Sequence, residues 1–275
     1  MDLLERLIDA EIDKVYQARR AKRKRRDWFS MSNAGFCMRA TVLNRLNAKE
    51  KDHTPKQKRI FWIGQVIHDA VEALLKKSGR LVTSEEFVGS KFEPGCDQIG
   101  AIDFILKEDD NSQSLYEFKS KNTGSFWSSI IRKGQAATNN IYQGMTYFLK
   151  IKKHRVDALK IAYWSKEDAA MAVFKINTDN FKQQINDWWD VVRTYFNLQE
   201  LPSTYKETDK EFEWFCNSKT GPCTFKDNYC PFSDNTGYHE EISNNIKGLV
   251  WNEEQEKKTE RNNTINKILE TEKPT

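Results

Sequence analysis

Residues 100–119 read GAIDFILKEDDNSQSLYEFK. Ile99, Ile102, Phe104, Ile105 and Leu106 are apolar, Lys107 to Ser114 is charged or small, and Leu115, Tyr116 and Phe118 resume the apolar run. This alternation predicts two short strands joined by a polar turn. In such a hairpin Asp103 and Glu117 can lie side by side on neighbouring strands. Lys119, two residues beyond Glu117, shares its face. Two carboxylates and one ammonium then converge on one point. Carboxylate oxygens suit a hard divalent cation such as Mg²⁺, and a lysine beside the cation can hold a water and help deprotonate it. Those are the parts of metal-assisted phosphodiester hydrolysis. The same residues on a solvated hairpin edge would carry no chemistry, so the reading turns on what flanks them.

Upstream, residues 58–77 carry Phe61, Ile63, Val66, Ile67, Ala70, Val71, Leu74 and Leu75 at helical spacing. His68 and Glu72 are four apart and share a face of that helix. His68 is either a hydrogen-bonded core histidine or a third metal ligand. Residues 81–92 are expected to form one strand. Downstream, 122–135 reads as a loop with Phe126, Trp127 and several basic residues, suited either to packing or to stacking on a nucleic-acid strand. Residues 136–150 read as a helix on which Gln143 and Tyr147 share a face. Residues 156–165 and 169–176 read as a hairpin, and 178–198 as a helix with Phe181, Ile185, Trp188, Trp189, Val192 and Phe196 in the core. The order is helix, three strands, helix, strands, helix. It predicts an α/β fold with a mixed central sheet flanked by helices.

Before this core, residues 2–18 form an amphipathic helical stripe of Leu3, Leu4, Leu7, Ile8, Ile12 and Val15. The stripe runs into Arg19, Arg20, Lys22, Arg23, Lys24, Arg25 and Arg26, seven cations in eight residues. Such density suits a polyanion bound through counterion release, and Arg23 to Arg26 are the nucleic-acid-binding candidates. Residues 30–47 open with Ser and Asn cap candidates and are expected to be helical, with Cys37 in the first turn. The chain of 275 residues is 38% hydrophobic and 31% charged, with a net charge of +4, enough for one large domain with appendages. No apolar run approaches a membrane span, and the N-terminus is too charged for a secretory signal. An intracellular protein is expected, and its five cysteines are then thiols or metal ligands rather than disulfides. From Ser243 onward Glu, Lys, Asn and Thr dominate, which reads as a solvated helix or frayed tail. The expected division is 1–29, a basic amphipathic helix; 30–235, the main domain; and 236–275, the tail.

Gly64–His68, Gly100–Asp103, Glu117–Phe118–Lys119 and Gln143–Tyr147 resemble, in order and approximate spacing, the RecB-type branch of the PD-(D/E)XK nucleases. The corresponding patterns are G-x-x-x-H, G-x-x-D, E-x-K and Q-x-x-x-Y, and the resemblance covers about residues 30–235. It implies a restriction-endonuclease-like core. His68, Asp103, Glu117 and the Phe118 carbonyl would hold Mg²⁺ or Mn²⁺. Lys119 would activate or orient the attacking water, and Gln143 and Tyr147 would position the DNA strand or the Lys119 region. Cys37, Cys216, Cys223 and Cys230, one before the core and three after it, resemble the set in the iron–sulfur CRISPR-associated RecB-like exonucleases and the AddB nuclease domain. Six residues separate Cys216 from Cys223, where those proteins usually have two. The resemblance implies a 4Fe–4S cluster, with zinc as the alternative. The implied function is a metal-dependent, single-strand-tolerant DNA exonuclease in recombination, repair or replication processing. A helicase or recombination protein is a candidate partner. The competing reading is a nucleic-acid-binding protein on the same fold, without catalysis or dependent on a partner for it.

Overall fold

Helix α3 (Pro55–Ser78) shows why the sequence folds locally as it does. Thr54 and Gln57 form a reciprocal capping box, Pro55 opens the helix, and Gly79 closes it at φ 70 in the left-handed region. The computed structural model describes residues 3–22, 28–89, 98–198, 200–202, 223 and 225. The chain divides into two compact units, residues 1–47 with 52–202, and residues 48–51 with 203–275. The elements below belong to the first.

In chain order these are α1 (Leu3–Lys22), β1 (Phe29–Ser30), a short 3-10 turn (Met31–Asn33), α2 (Met38–Arg45), α3, β2 (Leu81–Ser84), β3 (Phe87–Gly89), β4 (Gln98–Ala101), β5 (Phe104–Lys107), β6 (Gln113–Lys121), α4 (Thr123–Ser125), a π-helical turn (Phe126–Ile131), α5 (Thr138–Lys150), β7 (Ala158–Ser165), β8 (Met171–Ile176) and α6 (Asp179–Asn197). The main sheet has the order β2-β5-β6-β7-β8. All its pairs are antiparallel except β6–β7, which is parallel and is bridged by the crossover helix α5. A second sheet has the order β1-β4-β3. The result is a mixed α/β fold with helices on its sheets, as the alternation of periodicities predicts.

The two faces of the main sheet are covered by different helices. Phe104, Phe118 and Ala162 face Ile67, Val71 and Leu75 of α3. Their strand neighbours Ile105, Leu115, Ile161 and Tyr163 face the opposite way, into a larger core with Ile141 and Met145 of α5 and Ile185, Trp188, Trp189 and Val192 of α6. Gly144 lets α5 sit close on β7, since a Cβ there would meet the Leu159 and Ile161 methyls at 3.0 Å.

Several local expectations are corrected. Residues 81–92 do not form one strand. The run breaks at Glu85, and its halves join different sheets. The 100–119 stretch also changes sheet, with Gly100 in β4 and Phe104 in β5. The helix expected over 30–47 begins only at Met38, with Cys37 as its N-cap, because Gly35 at φ 73 turns the chain first. The loop expected over 122–135 contains α4 and the π-helical turn, with Phe126 fully buried and Trp127 exposed. The apolar stripe of α1 is largely exposed at Leu3, Leu4, Leu7, Ile8 and Val15, whereas Ile12 is buried. Ion pairs join α1 to α3: Lys58 to Asp13, and Arg59 to Glu5 and Asp9. Among the described residues no helix is long and apolar enough to cross a membrane.

Candidate active site at the sheet crossover

After β2 and again after β4 the chain passes directly from one sheet to the other. The two crossings face each other. Ile102 N–H donates to the Glu86 carbonyl at 3.0 Å, and Glu85 N–H approaches the Asp103 carbonyl at 3.4 Å. Asp103 therefore sits just before β5, outside the ladder, with its carboxylate free to turn inward. Its Oδ2 accepts from the Phe118 N–H at 2.7 Å, which pins it to β6 beside Glu117.

Glu117 is fully buried on the face that carries Tyr147 and Tyr163. Its close charged partner is the Lys119 ammonium, and its oxygens are otherwise without hydrogen-bond partners among the described residues. Burial, reinforced by the neighbouring Asp103 carboxylate, pushes the Glu117 carboxyl up to about 8. Burial also works against the Lys119 charge, but Glu117 and Asp103 outweigh it and hold the ammonium above the usual lysine range. For Asp103, burial opposes the charge while Lys119, His68 and the Phe118 N–H together keep its pKa low.

His68 reaches the same point from the other face. Its ring stacks on Phe104 with centroids 4.9 Å apart. Its Nε2 lies 3.4 Å from Asp103 Oδ1 and 3.5 Å from Glu85 Oε1, yet neither ring nitrogen makes a hydrogen bond of good geometry. Asp103 raises the pKa of the imidazole against the effect of burial. Glu72, its helical neighbour, is turned elsewhere, to Lys76 at 2.8 Å and to the Ser84 hydroxyl at 2.5 Å.

Gln143 and Tyr147 lie behind the carboxylates. Gln143 Nε2 is 3.4 Å from the Tyr147 hydroxyl, and both side chains are buried. Burial, and then the Glu117 charge, raise the pKa of the phenol well above its usual value. The Tyr147 ring fits only because position 100 is glycine: a Cβ there would lie 2.6 Å from Tyr147 Cε1 and 2.9 Å from Met31 Cβ. Two of the spaced patterns in the sequence are therefore one contact in space.

Two residues at this site carry no signal in the sequence patterns. Glu85 contributes a third acid, and a ligand atom from each of His68, Glu85 and Asp103 lies within 4.8 Å of the others. It holds φ 52, a conformation costly for a non-glycine residue and characteristic of functional positions. The adjacent acids Glu85 and Glu86, interrupting an otherwise strand-like run, were its only trace. Tyr163 pairs with Lys119 in the β6–β7 register, and its hydroxyl accepts from Asn140 Nδ2 at 2.8 Å and from the Ala137 N–H at 2.9 Å.

The donor set fits a divalent cation. Ligand atoms of His68, Glu85 and Asp103 converge, and beside them both His68 ring nitrogens and both Glu117 oxygens are buried without a hydrogen-bond partner among the described residues, which suits a hard or borderline cation.

No protein-family model matches the sequence, and no curated protein matches it. Solved structures show likenesses to the chain. The crystal structure of SSO0001 superposes with a TM-score of 0.55 at 15% identity, covering 82% of this chain and 96% of that one. An alkaline exonuclease, LHK-Exo from Laribacter hongkongensis, superposes with a TM-score of 0.43 at 13% identity, covering 63% and 92%. The likeness to SSO0001 is one of fold, and it spans nearly all of that protein.

The other candidates are placed less fully. Arg23, Lys24, Arg25 and Arg26 lie outside the described residues, as do Cys216 and Cys230. Cys37 is buried at the start of α2, in the first unit, and Cys223 is half-buried in the second.

Proposed function

We propose that the chain is a divalent-cation-dependent nuclease that hydrolyses phosphodiester bonds in DNA. The observation that carries this reading is the meeting of Asp103, Glu117, Lys119 and His68 at the sheet crossover, with their buried oxygens and ring nitrogens short of partners. His68, Asp103, Glu117 and the Phe118 carbonyl would hold the cation, with Glu85 as a further acid beside them. Bound there, a divalent cation supplies Lewis-acid stabilisation of the charge that builds on the phosphate oxygens and acidifies water. Lys119, held protonated by its acid neighbours, donates from Nζ to orient the attacking water or to steady the phosphate. Tyr147 and Gln143 hold the Glu117 side of the site in place from behind. In this reading the enzyme belongs to the RecB-like branch and acts as an exonuclease. The basic run through Arg26 contributes to DNA binding, and a helicase or recombination protein is a candidate partner. The 4Fe–4S cluster, or its zinc alternative, on Cys37, Cys216, Cys223 and Cys230 rests on the order of the cysteines alone.

The test is incubation of purified protein with end-labelled single- and double-stranded DNA in Mg²⁺, Mn²⁺ or chelator. Shortening of the label with either cation and none in chelator is expected. Intact DNA under every condition, with the protein folded, would reject the nuclease reading in favour of a binding protein on the same fold.

A further inference from the structure

Strand β6 carries one more cation beyond Lys119. Glu117, Lys119 and Lys121 alternate with Phe118 and Ser120, so they share one face. Two residues of strand advance about 6.6 Å, which puts Lys121 one step further from the carboxylates. It pairs in register with Ser165 of β7, and the backbone N–H of the next residue, Lys166, donates to the Lys121 carbonyl at 2.9 Å. Lys121 and Lys166 are both half-buried.

Among the described residues no carboxylate comes within ion-pairing distance of either ammonium, although acids are near. Glu167 is engaged by the Thr123 N–H and hydroxyl. Asp168 accepts from the Trp127 indole N–H at 2.8 Å. Thr123 and Ser165 hydroxyls meet at 2.9 Å. These bonds clasp the segment after β6 to the β7–β8 turn. They engage the acids in the clasp, and among the described residues neither lysine holds one of them in an ion pair. Burial first, and then the like charges of Lys119 and Lys166, depress the Lys121 pKa. Burial likewise depresses Lys166, against the opposing charge of its neighbour Glu167. Half-buried cations held without an ion-pairing partner are costly unless an anion completes them.

We propose that Lys121 and Lys166 bind the phosphate next to the scissile one, anchoring the strand on the side of the site away from Asp103. The anchor rests on the nuclease reading for the position of the scissile phosphate. Two flexible ammonium groups recognise a phosphate by charge and not a base by its edge, so the anchor has no sequence preference.

The test is fluorescence anisotropy of a labelled single-stranded DNA oligonucleotide in chelator, across a salt series, with wild type, K121Q, K121R and K166Q. Each Gln variant should weaken binding and reduce the slope of log affinity against log salt by about 0.7, the value for one phosphate contact on a single strand. K121R should keep the slope. In cleavage with cation, K121Q should raise KM more than it lowers kcat, as expected for loss of uniform binding. Its melting temperature should not fall, because a repulsion has been removed. Wild-type protein that binds and cleaves, with slopes unchanged in both K121Q and K166Q, would overturn the anchor and leave the nuclease reading standing. A lowered K121Q melting temperature with an unchanged K166Q slope would assign Lys121 a structural role instead. Slopes that fall as expected in a protein that never cleaves would retain a phosphate site and reject the nuclease. Wild-type protein that binds no oligonucleotide would reject both.

Discussion

Lys58, where α1 meets α3, and Lys119, at the end of β6, each sit beside two carboxylates. Lys58 is buried, but its acids are not. Its Nζ lies 2.6 Å from Asp13 and 2.9 Å from Asp52, both about half exposed, and 4.9 Å from the centre of the Tyr16 ring. Water reaches the acids, the lysine has its partners, and the joint is complete. At Lys119 the positions are reversed. The lysine keeps 28% of its side-chain exposure, while Glu117 is buried to 1%. Glu117 and His68 are left with unsatisfied atoms. A structural ion pair satisfies its own atoms; the cluster at the sheet crossover leaves buried atoms of Glu117 and His68 unsatisfied among the described residues. That difference, rather than the mere presence of charge, separates a joint from a candidate active site.

The largest effects that would sharpen this comparison are catalytic. Asp103→Asn, Glu117→Gln and Lys119→Ala should each lower single-turnover cleavage by about a hundred- to thousandfold or more. DNA binding in chelator should survive. Glu117→Gln should also melt no lower than wild type without cation, because burial disfavours the ionised carboxyl at that position. Full activity in any two of the three variants would break the assignment.

A smaller effect is expected from cation binding itself. A ligand that binds only the folded state raises its stability. Millimolar Mn²⁺ or Mg²⁺ should therefore raise the wild-type melting temperature by several degrees, and His68→Ala and Glu85→Gln should each shrink that rise. Mn²⁺ should support cleavage at least as well as Mg²⁺, since imidazole suits Mn²⁺ better. Equal cation-induced shifts in wild type, His68→Ala and Glu85→Gln would remove both residues from the shell.

The smallest effect belongs to the joint. Lys58→Ala leaves Asp13 and Asp52 unpaired, but their exposure lets water compensate. A loss of about 1–2 kcal/mol in urea unfolding is expected, with cleavage per folded molecule unchanged. A comparable loss of cleavage would show that α1 serves the site and would erase the contrast between the two lysines.

Much of the site was legible because alternation and helical spacing constrain it locally. Glu117 and Lys119 share a face by the pleat of one strand, and Gln143 and Tyr147 share one by the turn of one helix. The hairpin register brings Phe104 opposite Tyr116 and hence Asp103 level with Glu117. Where a helix carried a long periodic apolar face, as in α3, α5 and α6, and in α3 its own caps as well, the sequence marked the element well. It failed where tertiary pairing overrode local pattern. The run expected as one strand over 81–92 belongs, over its described residues 81–89, to two sheets, and the cap-like residues at 30–33 start a 3-10 turn rather than the helix.

The sequence by itself nominated candidates to hold a cation and orient a water, because those roles depend on side-chain chemistry at short, regular spacing. It also determined the alternation of strand and helix that makes the fold α/β. Tertiary structure alone decided that the chain crosses twice between sheets at one place, setting Glu85 against Asp103 and His68. It likewise decided that Tyr147 rests on Gly100 and that Lys121 meets Lys166 with their nearby acids committed elsewhere. Each of these depends on contacts between segments far apart in the chain, where no local period operates. There the partner each group finds, or lacks, is settled by how the sheets and helices assemble.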